Sequence, residues 1–211
     1  MNESPVPLLI ACALGIESLA LRTGDLDAAA GPVSVLRTGM GPLDAEEAIL
    51  RALAGPGLED AAVVATGFCA GLVPGMAPGD VVVADEVRGP DGNTACAGVS
   101  MLAAAAARAL PGHTVHTGPL LGSDHVVRRR ERAALRETGA VAVDMESAVT
   151  LGSAVRTGAR PVAALRVVVD APGHELVRLG TLRGGISAYR VLRSVLPALF
   201  EWQQSLRLPR R

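Results

Sequence analysis

Two acidic segments of the sequence could do chemistry together. The first, Val-Asp-Met-Glu-Ser-Ala at 143–148, delivers two carboxylates directly after an apolar run, and the second, Leu-Arg-Val-Val-Val-Asp at 165–170, ends on a single carboxylate. Charged groups at the ends of buried strands are costly unless a ligand or hydrogen bonds receive them, and ligands bind at that edge of open α/β sheets. The pattern suits a carboxylate that holds a ribose diol and an acid that protonates a purine leaving group.

The rest of the sequence indicates the elements that would position these acids. Short runs rich in Val, Ile and Leu alternate with helical patterns, which is typical of a mostly parallel, buried sheet. We predict strands at 6–13, 33–37, 61–66, 80–87, 113–118, 140–143 and 161–169. We predict helices at 43–54, 99–110, 131–137 and 144–157, and a C-terminal helix along 186–200 that kinks or breaks at Pro197. The expected fold is α/β, a three-layer α/β/α sandwich with a mostly parallel, mixed central sheet, in one domain over 1–211.

Composition excludes several function classes. The net charge is −1, hydrophobic residues make up 49% and charged residues 19%, so no patch for nucleic acid or an anionic membrane is expected. The arginine run 128–130 is interpreted as a solvated helix face. No basic segment precedes the first apolar run, and no apolar run reaches membrane-spanning length, so neither a signal peptide nor an integral membrane segment is predicted.

The sequence contains three cysteines, an odd number. Cys12, Cys69 and Cys96 show no metal-ligand spacing. We interpret them as reduced thiols and expect a cytoplasmic protein. We expect no metal and no cofactor, although inorganic phosphate is a possible co-substrate.

Two glycine-rich segments follow predicted strands, at 38–42 and 66–71. Neither matches the dinucleotide-binding fingerprint or the P-loop. The first enters a helix, whose amides could meet an anion, although a simple strand–turn–helix connection uses glycine as readily. The second precedes a Pro- and Gly-rich stretch at 74–79, which favours a shaped loop whose backbone approaches a ligand over a minimal turn.

Together these segments resemble the nucleoside phosphorylase and methylthioadenosine/S-adenosylhomocysteine nucleosidase superfamily. Residues 66–72 and 79–86 are similar to its Thr-Gly-Ser-Ala-Gly-Gly-Leu and Gly-Asp-Ile-Val-Val-Ser-Asp-Glu motifs. Residues 143–148 are similar to Val-Glu-Met-Glu-Ala, and 166–170 to Arg-Ala-Ile-Ser-Asp. The motifs agree in order and spacing from about residue 6 to the end of the chain, which implies a phosphorylase/hydrolase-like fold.

Within the superfamily, the closest resemblance is to the hopanoid-associated phosphorylases. It is carried by the first-strand exit at 14–22, by Asp-Met-Glu-Ser at 144–147, and by Asp-Ala-Pro-Gly at 170–173. This resemblance implies adenosylhopane as substrate, with adenine and a ribosyl or phosphoribosyl hopane as products. The aliphatic loops around Met40 and Met76 could supply the apolar exit that a lipid 5′-substituent needs.

The resemblance also implies roles for the acidic residues. Asp170 would protonate purine N7, since burial can keep a carboxylic acid neutral near pH 7. Glu146 would accept hydrogen bonds from the ribose 2′ and 3′ hydroxyls, with Met145 against the sugar face. Glu17 would orient water in a nucleosidase or contact the sugar in a phosphorylase. Without the resemblance, each acid has an alternative structural role. Asp170 could cap a turn, Glu146 could lie on a solvated helix face, and Glu17 could be an ordinary carboxylate in the first turn of a helix.

The base-binding loop of the family corresponds to 123–127. There the backbone of Val126 and Val127 would recognise the adenine edge, and His125 as a catalytic base is an alternative. Phe68 could stack on the base, but it stands where relatives carry a serine.

The nucleophile site departs from the family in a second place. Val169 also replaces an expected serine, so the anion site would depend on the turn at Gly67 and Cys69 and on Arg166 or Arg22. Arg166 could instead pair with a carboxylate such as Glu146.

The sequence therefore leaves three functions open. The first is a phosphorylase that releases adenine from adenosylhopane. The second is a hydrolase of methylthioadenosine, S-adenosylhomocysteine or futalosine, and the third is a non-catalytic purine nucleoside binder. A low charge content fits a buried subunit interface, so we expect a homodimer or a higher homo-oligomer.

Overall fold

The computed structural model describes residues 6–127, 129–172 and 182–206, apart from the side chains at 129–130 and 182–186. The predicted arginine face at 128–130 and position 173 of the hopanoid-like motif therefore lie outside the described side chains. The strands are β1 (Leu8–Cys12), β2 (Val33–Arg37), β3 (Ala62–Gly71), β4 (Val81–Gly89), β5 (Gly92–Ala95), β6 (Val115–Gly122), β7 (Ala142–Asp144) and β8 (Val162–Asp170). The helices are α1 (Gly15–Arg22), α2 (Pro42–Leu53), α3 (Val99–Ala109), α4 (Arg129–Glu137), α5 (Ser147–Thr157), α6 (Leu182–Ser194) and α7 (Leu196–Ser205), with a 3₁₀ turn at Leu26–Ala28.

The sheet is mixed and mostly parallel, as the sequence predicts. Strands β2, β1, β3 and β8 pair in parallel, and so do β4, β6 and β7. Antiparallel pairs join β3 to β7, β4 to β5 and β4 to β8. Five strands, β3, β7, β6, β4 and β8, therefore pair in a closed ring, with β1 and β2 extending the sheet from β3.

The helices cover two faces of the sheet, which confirms the α/β/α arrangement. Side chains of successive strand residues point to opposite faces. Leu8 and Ile10 pack with residues of α1, α3, α6 and α7 in one buried cluster. Leu9 packs on the opposite face with Ile49 of α2 and Leu151 of α5. Within the described ranges, no helix is long and apolar enough to cross a membrane.

The prediction of a loop at 66–71 is wrong, because this segment is the second half of β3. Gly67 takes φ +124° within the strand, and the register against β8 shifts between Cys69 and Ala70. A glycine and a bulge allow a strand to bend without ending, so the local composition imitates a loop.

Other boundaries also differ from the prediction. Helix α5 begins at Ser147 instead of 144, since β7 runs through Asp144. Strand β5 and helix α1 were not predicted, and β5 is short and mostly exposed, so it carries little hydrophobic pattern. The predicted break of the C-terminal helix is confirmed between α6 and α7, and Pro197 is the second residue of α7.

Candidate active site

One edge of the sheet brings together the acidic segments that the sequence singled out. Strands β1, β3 and β8 are parallel, so their carboxyl ends meet at this edge. Ala70 pairs with Asp170 of β8 on one side and with Val143 of β7 on the other. Glu146 follows β7 directly and Glu17 lies on α1, just after β1. Ligands of α/β sheets bind at such an edge, so it is the candidate site.

Glu17 is buried and joins the end of β1 to β3. Its Oε2 accepts hydrogen bonds from the amides of Ala13 and Leu14, at 2.9 and 2.8 Å. Its Oε1 accepts a hydrogen bond from the amide of Phe68 at 2.7 Å. Burial raises the pKa of Glu17, although nearby Arg166 and these amides oppose the shift. A carboxylate in this position can accept a proton from a bound hydroxyl or water.

At Gly67, the charged side chains of Glu17 and Arg166 lie close to the backbone of β3. A Cβ at this position would lie 2.5 Å from Oε1 of Glu17 and 2.8 Å from Nη1 of Arg166. These separations are far below van der Waals contact, so no residue with a side chain fits without displacing one of the two charged groups. The absence of a side chain at Gly67 lets both groups lie over the strand backbone.

Arg166 is fully buried and is held by three groups. Its Nε lies 2.6 Å from Oδ2 of Asp144 and donates to Oγ of Ser147 at 2.9 Å, while Nη1 donates to the carbonyl of Thr66 at 2.7 Å. Pairing with a carboxylate was one of the two expectations for Arg166, but the partner is Asp144 and not Glu146. Asp144 Oδ1 also accepts a hydrogen bond from the Ser147 amide, at the start of α5. It therefore receives the first amide of α5 in addition to neutralising Arg166, although the N-cap residue of α5 is Glu146.

Glu146 turns instead toward the glycine-rich turn before α2. Its Oε1 accepts a hydrogen bond from the amide of Gly41 at 2.9 Å. Burial raises the pKa of Glu146, and Arg166 and the Gly41 amide partly offset the effect. Met40 and Leu43, on either side of this turn, are 63% and 81% exposed. Glu146 is thus hydrogen-bonded to a turn whose exposed apolar rim consists of Met40 and Leu43. Met145, next to Glu146, is partly buried.

Asp170, the last residue of β8, lies against α4. Both of its carboxylate oxygens accept hydrogen bonds from Arg132, with Nη1 at 3.2 Å from Oδ1 and Nη2 bound to Oδ2. Arg132 was not predicted as a site residue, since nothing in the sequence of α4 distinguishes it from the other arginines of that helix. Only the packing of α4 over the end of β8 selects it.

The residues expected to hold the base differ in how deeply they are packed. Val127 is buried with Leu72 and Val143, whereas the Val126 side chain is 68% exposed. Phe68 is half-buried at the edge of the core.

Cys69 and His125 are less suited to chemistry. Burial raises the pKa of the Cys69 thiol, so Cys69 is a neutral packing residue of β3. His125 is exposed, and its ring nitrogens lie 2.6 and 2.7 Å from Asp124 and Glu131. These two surface carboxylates, more than any contact with the candidate site, explain its position.

A cavity of about 690 Å³ lies beside the candidate site. Met145 and Val127 contribute to its wall, together with residues of the β4–β5 hairpin and of α5. Glu17, Glu146 and Asp170 are not among its lining residues. Met145, the residue before Glu146, is thus the link in the chain between this cavity and the acidic cluster.

Comparison with known proteins shows the family and the fold of the chain. The sequence model of the Phosphorylase superfamily matches residues 15–196. No curated protein sequence matches the chain. The fold is similar to that of S-adenosylhomocysteine nucleosidase from Streptococcus pyogenes in complex with 5-methylthiotubericidin, with a TM-score of 0.74 and 18% identity over 94% of this chain and 99% of that one.

Two further solved structures share the fold. The 5′-methylthioadenosine/S-adenosylhomocysteine nucleosidase of Neisseria meningitidis, in complex with methylthio-immucillin-A, has a TM-score of 0.69 and 20% identity, covering 94% of this chain and 96% of that one. The corresponding Colwellia psychrerythraea enzyme, in complex with adenine, has a TM-score of 0.72 and 17% identity, covering 96% of each chain. Because the family match spans most of its length, the chain belongs to the phosphorylase superfamily.

Proposed function

We propose that this protein cleaves the N-ribosidic bond of an adenine nucleoside and that its natural reaction is the phosphorolysis of adenosylhopane. The observation that carries the proposal is that Asp170, Glu146 and Glu17 lie at one edge of the sheet, at the end of β8, just after β7 and on α1. Three carboxylates at one edge of the sheet suit a substrate that presents a sugar diol and a protonatable base. Family membership supports the same reaction class.

In the proposed reaction, each acid has a separate task. Glu146 accepts hydrogen bonds from the ribose hydroxyls, and the Gly41 amide holds it in place for this. Protonated Asp170 gives its proton to N7 as the C1′–N9 bond breaks, so that adenine leaves as a neutral base. An oxygen of inorganic phosphate forms the new bond to C1′. The sugar passes through an oxocarbenium-like state, as in glycoside cleavage, and the nearby carboxylates stabilise its positive charge.

The exposed apolar rim at the α2 turn supports a large 5′-substituent. Gly41 is bound to the ribose-binding carboxylate, so Met40 and Leu43 lie next to the sugar site. Exposed apolar side chains that lie together, unlike those that lie singly, mark a partner surface or a ligand site. A lipid attached at C5′ would lie against them, whereas a small methylthio group would leave them in water.

Hydrolysis is the second candidate, and the arginines favour it. Arg166 is bound by Asp144, Ser147 and Thr66, and Arg22 donates to Ser18 and to the Val35 carbonyl. Both guanidinium groups are therefore already bound to groups of the protein, so neither is set aside for a phosphate. If phosphate is the nucleophile, we expect Arg37 to help hold it, because its Nη1 lies close to Gly15, the first residue of α1.

The test is adenine release from adenosine, from methylthioadenosine and from adenosylhopane, each with and without phosphate. Phosphate-dependent release with a preference for adenosylhopane would support the proposal, and release that ignores phosphate would replace it with the hydrolase. Asp170→Asn should lower kcat by about 10²- to 10⁴-fold and leave adenine binding measurable. Asp27→Asn, an exposed aspartate in the 3₁₀ turn, is the matched control. Adenine binding without turnover in the parent protein would indicate a non-catalytic binder.

A further inference from the structure

The site contains two arginine–carboxylate pairs that differ in how completely they are held. In the Arg166–Asp144 pair the side chains are 2% and 1% exposed, and the guanidinium has further partners in Ser147 and Thr66. In the Arg132–Asp170 pair they are 9% and 21% exposed. Within the described part of the chain, the buried Nε of Arg132 has no hydrogen-bond partner. A buried donor without a partner costs free energy, so the Arg132 contact is the less completely satisfied of the two.

The Arg132 contact also competes with the task proposed for Asp170. Arg132 occupies both carboxylate oxygens with N–H donors. A carboxyl group that donates to purine N7 must carry the proton on one of those oxygens and direct it at the ring. The two-bond contact and the protonated carboxyl group compete, because the oxygen that directs its proton at the purine nitrogen is one to which Arg132 donates.

The position of Arg132 on the chain links its movement to the base. Val126 and Val127, whose backbone is expected to contact the adenine edge, immediately precede α4, which carries Arg132. Val127 is anchored against Leu72 and Val143, whereas Val126 is exposed. A purine that binds between this segment and Asp170 contacts the chain just before α4 and also the carboxylate that Arg132 of α4 holds. Entry of the base and displacement of the guanidinium therefore involve one element.

We infer that Arg132 is a positioning residue that clamps Asp170 and that a purine base must displace it to reach the carboxyl group. This inference rests on the proposed function. The clamp keeps the acid paired until a base arrives. The free energy needed to break the ion pair therefore reduces the net free energy of purine binding. Removing the clamp therefore tightens purine binding, which a purely structural ion pair would not do.

The experiment measures adenine binding by titration calorimetry for the parent protein and for Arg132→Met. We expect the variant to bind adenine about three- to tenfold more tightly, because the clamped fraction no longer reduces the apparent affinity. In an Asp170→Asn background, the same change should have no effect on affinity. Arg136→Met, an exposed arginine one turn further along α4, is the matched control and should change nothing.

A second variant covers the case in which Arg132→Met does not fold. Arg132→Lys keeps the charge but cannot make the two parallel bonds, so it should tighten binding by a smaller factor. Unchanged or weaker adenine binding in folded variants, with the parent protein active, would overturn the clamp alone. A parent protein that neither binds adenine nor releases it from any nucleoside would overturn the proposed function instead.

Discussion

Arg166 and Asp144 form an ion pair of 2.6 Å that lies entirely inside the protein and joins β8 to the end of β7. The same Asp144 carboxylate accepts hydrogen bonds from the amide and the hydroxyl of Ser147, the first residue of α5. Glu146 lies between Asp144 and Ser147 in the chain. The ion pair therefore determines where the proposed ribose-binding carboxylate lies, although neither member is expected to touch the sugar.

Replacing Arg166 by Met should be strongly destabilising. The change leaves Asp144 buried without its cation, beside the buried Glu146 and Glu17, and breaking a buried pair typically costs about 3–5 kcal/mol. Urea unfolding measures the loss. Arg51→Met is the control, since Arg51 pairs with Glu47 on the exposed face of α2 and such pairs contribute less than about 1 kcal/mol. The prediction is wrong if the two substitutions cost the same, and Asp144→Asn in the Arg166→Met background should recover part of the loss.

The sequence predicted the fold class and the edge of the sheet that carries the acids. Those inferences depend on apolar periodicity and on the position of charges at strand ends, which are local properties of the chain. The same reasoning misassigned 66–71, because a glycine inside a bulged strand has the composition of a loop. Boundaries of this kind depend on the pairing of β3 with β8, which local composition does not encode.

Partners between distant segments were harder to predict. Arg166 was expected to pair with a carboxylate, and the sequence suggested Glu146. In the structure, Glu146 accepts a hydrogen bond from the Gly41 amide, and Arg166 pairs with Asp144 instead. Arg132 had no signal at all, since its contact with Asp170 arises only from how α4 packs on the sheet. Such choices depend on side-chain geometry across elements. They are also what decides the chemistry of the site.

Gly67→Ala should reduce both stability and activity. The new methyl group would meet the Glu17 carboxylate and the Arg166 guanidinium, both of which are held by several hydrogen bonds. Gly92→Ala is a close control, because Gly92 has φ +122° against +124° for Gly67 and a Cβ added to it would meet nothing within 4 Å. We expect Gly67→Ala to cost about 1–3 kcal/mol more than the control in urea unfolding, since only it is overpacked. Equal costs would show that backbone conformation alone explains the glycine.

Glu146→Gln should weaken catalysis through the sugar. The substitution keeps the shape and can keep the Gly41 contact, but it replaces charge-assisted hydrogen bonds to the ribose with neutral ones. We expect kcat/KM for adenosine to fall about 10- to 100-fold. For 2′-deoxyadenosine the fall should be smaller, because one of the two hydroxyls that Glu146 contacts is missing. Steady-state kinetics on both substrates test this, and equal losses would remove Glu146 from the ribose site. Glu47→Gln, exposed on α2, is the control.

Glu17→Gln should reveal a stability difference that depends on pH. Burial raises the pKa of Glu17 above its ordinary value of 4.5, so between the two values the folded protein binds more protons than the unfolded chain. The free energy of unfolding of the parent protein therefore falls as pH rises through this window. The variant lacks this titration, and any loss of its contacts with the amides of Ala13, Leu14 and Phe68 adds an offset that does not depend on pH.

The quantity to follow is thus the difference in unfolding free energy, parent minus Glu17→Gln, across a pH series. We expect this difference to decrease from pH 4.5 upward and to level off above the raised pKa. A difference that increases with pH would mean that the amides and Arg166 stabilise the carboxylate more than burial penalises it. Glu17 would then remain ionised throughout, and it could no longer take up a proton near neutral pH from a bound hydroxyl or water. Its part in the reaction would be limited to fixing the Phe68 amide in place.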